Sequence, residues 1–129
     1  MPVKPLVSIA WGLTLLAGAG AAWSDVPVRA PVPDARAVLL SALQSADGTA
    51  YGVLAGEIAD AITKRFEATS PIYLDVSTEK RYRQTGCARL KVLLWQEGVR
   101  LPEAKMPRKQ TIEFGINYCL DGLPPKSLL

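Results

Sequence analysis

Cys87-Ala-Arg-Leu-Lys-Val-Leu-Leu-Trp-Gln96 and Thr111-Ile-Glu-Phe-Gly-Ile-Asn-Tyr-Cys119 contain both cysteines of this 129-residue chain, and their reading decides its fold. Successive side chains on a strand point to opposite faces. In the first run Ala88, Leu90, Val92 and Leu94 fall on one face, while Arg89 and Lys91 fall on the other. In the second, Ile112, Phe114, Ile116 and Tyr118 share a face, and Thr111, Glu113, Gly115 and Asn117 share the opposite one. Cys87 and Cys119 both lie on the polar side. Setting them opposite each other in an antiparallel pair also sets Leu94 opposite Ile112, Val92 opposite Phe114 and Leu90 opposite Ile116. A slip of one residue would destroy that agreement. Opposed residues in such a pair have Cα atoms roughly 4.5–5.5 Å apart, which a disulfide can span. A Cys87–Cys119 disulfide is therefore expected.

Working outward, Ile72, Leu74 and Val76 alternate with Tyr73, Asp75 and Ser77, the pattern of a third strand. It is expected to run on through Arg81 and Arg83 and to turn at Gln84-Thr85-Gly86, with Gly86 left-handed. That register places Val76 opposite Leu94, Tyr82 opposite Ala88, Arg81 opposite Arg89, Arg83 beside Cys87, and Lys91 between Glu79 and Gly115. Residues 87–96 then form the middle strand, with residues 72–83 and 111–119 as exposed edges. Glu97 to Gln110 contains Gly98, Pro102 and Pro107 and reads as a long loop. The tail from Asp121 reads as a turn and a frayed end.

Upstream, Tyr51, Leu54, Ala55, Ile58, Ile62 and Phe66 recur at spacings of three and four, predicting a helix over Thr49–Phe66. Gly52 and Gly56 would each cost that helix about 1 kcal/mol relative to alanine. They imply close approach, either by the domain's own sheet or first helix or by another chain. Asp34 is placed to cap a shorter helix through about Gln44, with Ala35, Val38, Leu39 and Ala42 on one side. The predicted fold is α+β: one or two helices on a three-stranded antiparallel sheet, with one disulfide between its second and third strands.

The domain organisation follows from the ends. Residues 1–22 read as a signal peptide, with Lys4, an apolar core around Leu6–Leu16, and small residues through Ala22. An uncleaved membrane anchor is the rival reading of the same run. Residues 23–33 read as an extended Pro-rich linker, and residues 34–129 as a single small α+β domain. The expected location is exported, periplasmic or secreted, where a disulfide persists.

The chain has no histidine. That removes His-dependent triads and the usual zinc sites. Two cysteines committed to one bridge leave no thiolate nucleophile. Nucleotide-binding, nucleophile-elbow and calcium-loop motifs are absent from the sequence, and no metal or cofactor is expected. Catalysis is accordingly not expected. The competing view is a small hydrolase using Asp75, Glu79 or Glu113, which requires a cleft.

Charge points elsewhere. Ala22 to Glu79 holds eight acids and four bases, a net −4, while Lys80 to Leu129 holds four acids and ten bases, a net +6. The registers above gather Arg81, Arg83, Arg89 and Lys91 on the outer face of the sheet, beside Leu93 and Trp95. That face is the candidate binding site. Its composition suits a protein partner in the cell envelope, an acidic surface or an anionic lipid. Nucleic acid is not expected, because the aromatics are not interleaved with the charges as stacking platforms require. The expected function is a non-catalytic interaction module, of the kind that an accessory subunit of a secretion, conjugation or pilus machine would be; an inhibitor of a hydrolase and a peripheral lipid binder are the alternatives.

Overall fold

A computed structural model describes residues 26–129, together with residues 2, 3 and 12. Apart from those three residues, the segment expected to be a signal peptide lies outside the described residues, as does the start of the expected linker. The elements, in chain order, are β1 (Ala30–Val32), α1 (Arg36–Gln44), β2 (Thr49–Leu54), α2 (Glu57–Arg65), β3 (Ile72–Arg81), β4 (Cys87–Val99) and β5 (Arg108–Cys119). The strands form one sheet in the order β1-β2-β3-β4-β5. β1 runs parallel to β2, and every other neighbour is antiparallel.

The class is α+β as expected, but the sheet is five-stranded and mixed rather than three-stranded and antiparallel. Two misread segments account for the difference. Ala30–Val32, inside the expected linker, pairs with Gly52–Leu54. The expected helix over Thr49–Phe66 is divided: Thr49–Leu54 is a strand, and only Glu57–Arg65 is helical. Gly56 separates them at φ 119°, a conformation that stops a helix from starting earlier. β2 hides its alternation because its inward residues, Ala50 and Gly52, are small. A Cβ on Gly52 would lie 2.7 Å from Val38 Cγ2, so α1 packs directly on that backbone. The close approach implied by Gly52 is therefore real and comes from the first helix. Gly56, in contrast, has nothing within 4 Å of where a Cβ would sit.

The cysteine strands pair as expected. Cys87 opposes Cys119, and the register continues through Leu90–Ile116, Val92–Phe114 and Leu94–Ile112 to Gln96–Gln110. The disulfide forms, with the Cα atoms 4.1 Å apart, and joins the fourth and fifth strands of the larger sheet.

The register of β3 on β4 differs from expectation by two residues: Leu74 opposes Leu94 and Val76 opposes Val92. A shift of two preserves the faces, so the apolar pattern alone does not distinguish the registers. Gly86 is left-handed as expected, at φ 76°. Between Thr78 and Lys80 the ladder slips, leaving Glu79 as a bulge. Beyond it Lys80 opposes Arg89, and Arg81 opposes the buried Ala88.

Three further expectations are corrected. Residues 73–77 are paired on both sides, so of the two expected edges only β5 is one, and the other edge of the sheet is β1. The tail is held rather than frayed: Lys126 N–H donates to Gln84 Oε1 at 2.7 Å, and Arg83 N–H to Leu129 O at 2.7 Å. The Glu97–Gln110 loop is shorter than expected, because β4 continues to Val99 and β5 begins at Arg108.

The core lies between α1 and one half of the sheet. Val38, Leu39, Ala42 and Leu43 of the helix meet Leu74, Val76, Leu90 and Val92. Asp34 does not cap α1, whose N-cap is Ala35. Its carboxylate instead accepts from Arg36 N–H and from the Arg36 guanidinium. That bonding holds the Asp34 carboxyl below its ordinary pKa. Among the described residues no helix is long and apolar enough to cross a membrane.

Candidate functional site

The outer face of the sheet, opposite α1, carries no helix. Its expected basic cluster is dispersed. Arg81 has left it, carried across the sheet plane by the Glu79 bulge, and lines a small hollow with Leu43 and Gly86. Arg83 lies past the end of β3. The cations that remain are paired: Arg89 with Glu79 at 3.3 Å, and Lys91 with Glu113 at 3.3 Å. Arg89 also donates to Asn117 Oδ1 and lies over Gly115, where a side chain would collide with its guanidinium. The opposed arginines expected from sequence do not occur, so the repulsion they implied is absent.

Leu93 and Trp95 belong to a cluster that sequence reading missed in part. Leu93 lies between Asp75 and Glu113. Trp95 Nε1–H donates to Asp75 Oδ2 at 3.0 Å, and the Trp95 ring meets Tyr73 at a centroid distance of 4.3 Å. Arg29, from the segment read as linker, reaches across. Its Nη1 lies 2.6 Å from Asp75 Oδ1 and donates to Gly52 O at 3.1 Å. Its guanidinium sits within 6 Å of the Tyr51, Tyr73 and Trp95 ring centres. Such placement is favourable on both electrostatic and packing grounds. Lys109 lies over Trp95 as well, at 4.3 Å. The signal that could have identified Arg29 is its being the one cation of a proline-rich stretch, in a chain whose outer face carries Asp75 among aromatics.

The carboxylates proposed for hydrolysis are engaged in these contacts: Asp75 with Arg29, Glu79 with Arg89, Glu113 with Lys91. None of them lines the cleft described next or the two other hollows.

The inner face is less complete than the outer one. α1 covers only half of it. Over the other half, α2 stands off the sheet, and only Ala59 of that helix is buried. A cleft of about 370 Å³ opens between them. Its walls are Ile62 and Phe66 from the helix side and Leu54, Ile72, Leu94 and Ile112 from the sheet. Its upper boundary is tied down. Gln96, buried, donates through Nε2 to Thr63 Oγ1 and Ser70 O, both at 2.9 Å. Thr69 N–H donates to Glu97 O, and Arg100 N–H to Phe66 O. Next to the cleft, sharing Leu101 with it, is a shallower hollow bounded by Glu103, Lys105 and Arg108.

The adjoining edge is open. β5 is twelve residues long and, among the described residues, has no neighbour beyond it. The short Cα separation at Cys87–Cys119 marks a pair that exchanges no backbone hydrogen bonds, and Leu120 N–H donating to Gly86 O fits the same phase. By alternation, the even residues of β5 bond to β4. The N–H and C=O groups of Thr111, Glu113, Gly115 and Asn117 point away from the sheet. On the inner side of this edge Ile112 is 63% exposed and Phe114 43%. Among the described residues no group of three or more His, Cys, Asp or Glu is gathered as a metal site would need. Comparison with protein-family models, with curated proteins and with solved structures finds no match.

Proposed function

We propose that this chain is an exported, non-catalytic module that binds a protein partner in the cell envelope by accepting a strand at the β5 edge. The observation that carries this reading is the edge itself: a twelve-residue strand on which the outward backbone groups of Thr111, Glu113, Gly115 and Asn117 have no strand partner among the described residues, beside exposed Ile112 and Phe114. Natural sheets protect such edges with prolines, bulges or inward charges. β5 has no proline, and its central charge, Glu113, is neutralised by Lys91. Strand addition draws affinity from main-chain hydrogen bonds and specificity from alternate side chains. Here the inward side chains of an added strand would settle beside Ile112 and Phe114.

The edge is favoured over the outer face because Arg29, Arg89 and Lys91 already have acidic partners within the chain. The disulfide accords with an oxidising compartment. The test is photo-cross-linking in the intact host, with a photoreactive residue at Ile112 or at Leu93. A discrete protein adduct from position 112, lost when Thr111 is also changed to proline, is the expected outcome. Adducts from position 93 alone would move the site to the outer face. Adducts from neither would end the interaction reading.

A further inference from the structure

We infer that the cleft between α2 and the sheet binds the acyl chain of a single-chain anionic amphiphile, a fatty acid being the simplest. This goes beyond strand addition at β5, because an added strand would lie outside Ile112 and leave the cleft unfilled.

Shape sets the class of ligand. The floor crosses four neighbouring strands, from Leu54 on β2 through Ile72 and Leu94 to Ile112 on β5. Three inter-strand spacings of about 4.8 Å make a trough roughly 14 Å long. Its volume of about 370 Å³ lies within the range of small-molecule sites. Its roof is the single helix α2, through Ile62, with Phe66 just past its end, and a linear chain can lie along the floor beneath it.

Chemistry points the same way. The polar side chains at the cleft are Gln96 and Gln110. Gln96 donates its amide to Thr63 and Ser70, which leaves those N–H groups committed within the protein. A ligand lying along the floor therefore needs apolar substance over most of its length.

The trough is also built to stay open. The ties from Gln96, Thr69 and Arg100 fasten the end of α2 and the turn after it to the end of β4. Gly98, at φ 65°, lets Thr69 approach more closely than any side chain would allow. The helix is thereby held above the sheet, leaving Ile62 38% exposed and Ile58 79% exposed.

The charge at the mouth selects the head group. Lys105 and Arg108 bound the hollow that continues from Leu101, with Glu103 as the one acid there. Neither cation forms an ion pair among the described residues. An acyl chain seated in the trough would present its carboxylate to them.

The experiment is calorimetric titration of the full chain with sodium dodecanoate below its micellar concentration, with dodecanol as the uncharged comparison. Saturable binding with one site per chain is expected. Ile62→Glu, at a position that solvent already reaches, should weaken dodecanoate roughly tenfold or more by placing a carboxylate in the trough, with circular dichroism confirming that the variant is folded. Lys105→Glu with Arg108→Glu should weaken dodecanoate while leaving dodecanol unchanged. Thr111→Pro should leave both unchanged, which separates this site from the edge. Unsaturable uptake, or binding indifferent to Ile62→Glu, would overturn the inference. Phosphatidylglycerol vesicles form the last arm: capture of the chain by vesicles, abolished by Ile62→Glu, without binding of free dodecanoate, would assign the cleft to bilayer lipid and overturn the free-amphiphile reading.

Discussion

Replacing Gly52 by alanine would bring a methyl group to 2.7 Å from Val38 Cγ2 and 3.3 Å from Val32 Cγ2, both in the core. Neither neighbour is a flexible chain end, so α1 or β1 must shift. The expected loss is about 1–3 kcal/mol, read from chemical denaturation at constant slope. Arg29 makes a comparable contribution on the other face. Arg29→Ala removes the cation facing Asp75 and the guanidinium packed near three rings, and should cost about 1–3 kcal/mol. A double-mutant cycle with Asp75→Ala should show coupling between the two, and strict additivity would mean that the contact contributes nothing. Asp47 acts through pH. Ser45 Oγ, Thr49 Oγ1 and Thr49 N–H all donate to its Oδ1 and depress its carboxyl to about 2. Because the folded value lies below the unfolded one, Asp47 stabilises the turn before β2 at neutral pH and loses that effect as pH falls through about 2. Asp47→Asn should therefore lower the melting midpoint at pH 7, with the difference from the parent shrinking in acid.

Among the elements, α2 depends most on a single residue. Gln96→Leu deletes two hydrogen bonds and leaves Thr63 Oγ1 and Ser70 O without their donor. The expected cost is about 1–3 kcal/mol. Hydrogen exchange should rise in α2 while β4 and β5 keep their protection. The same element explains what sequence reading reached and what it missed. The β4–β5 pair was legible because the cysteines and the alternating apolar residues demand one register. β2 was not, since an inward glycine and alanine erase the apolar side of the alternation, and the outward Tyr51 then falls into helical step with Leu54 and Ile58. β1 was missed because Pro31 in a three-residue strand looks like linker, although an edge strand tolerates proline. The Glu79 bulge has no signature in composition, yet it moves Arg81 to the other face and thereby dissolves the expected basic cluster. For the candidate site, Leu93, Trp95, Arg89 and Lys91 were correctly placed on the outer face. The free edge at residues 111–119 was expected from the strand pattern and is found; the cleft escaped notice because it follows from how many strands there are and how far α1 extends across them.

At the scale of the whole molecule, the packing is uneven. One half of the inner face is closed by α1, and the other half is open beneath α2 and along β5. The disulfide lies at the closed end, beside Ala88 and the hollow at Gly86, at the opposite end of the β4–β5 ladder from Ile112 and Gln110. It closes a loop of 32 residues that contains the whole of the hairpin, so chain entropy assigns it about 3–4 kcal/mol. Its effect on the open end should be indirect, through global stability alone. Cys87→Ser with Cys119→Ser is therefore expected to lower the unfolding free energy by about that amount, while the folded fraction still binds dodecanoate and still yields the Ile112 adduct. Intact binding per folded molecule, with a lowered melting midpoint, would identify the bridge as an adaptation of a small domain to an oxidising compartment. Loss of binding in molecules that circular dichroism shows to be folded would instead make the bridge part of the recognition surface, and the division of the inner face into a closed half and an open half would have to be abandoned.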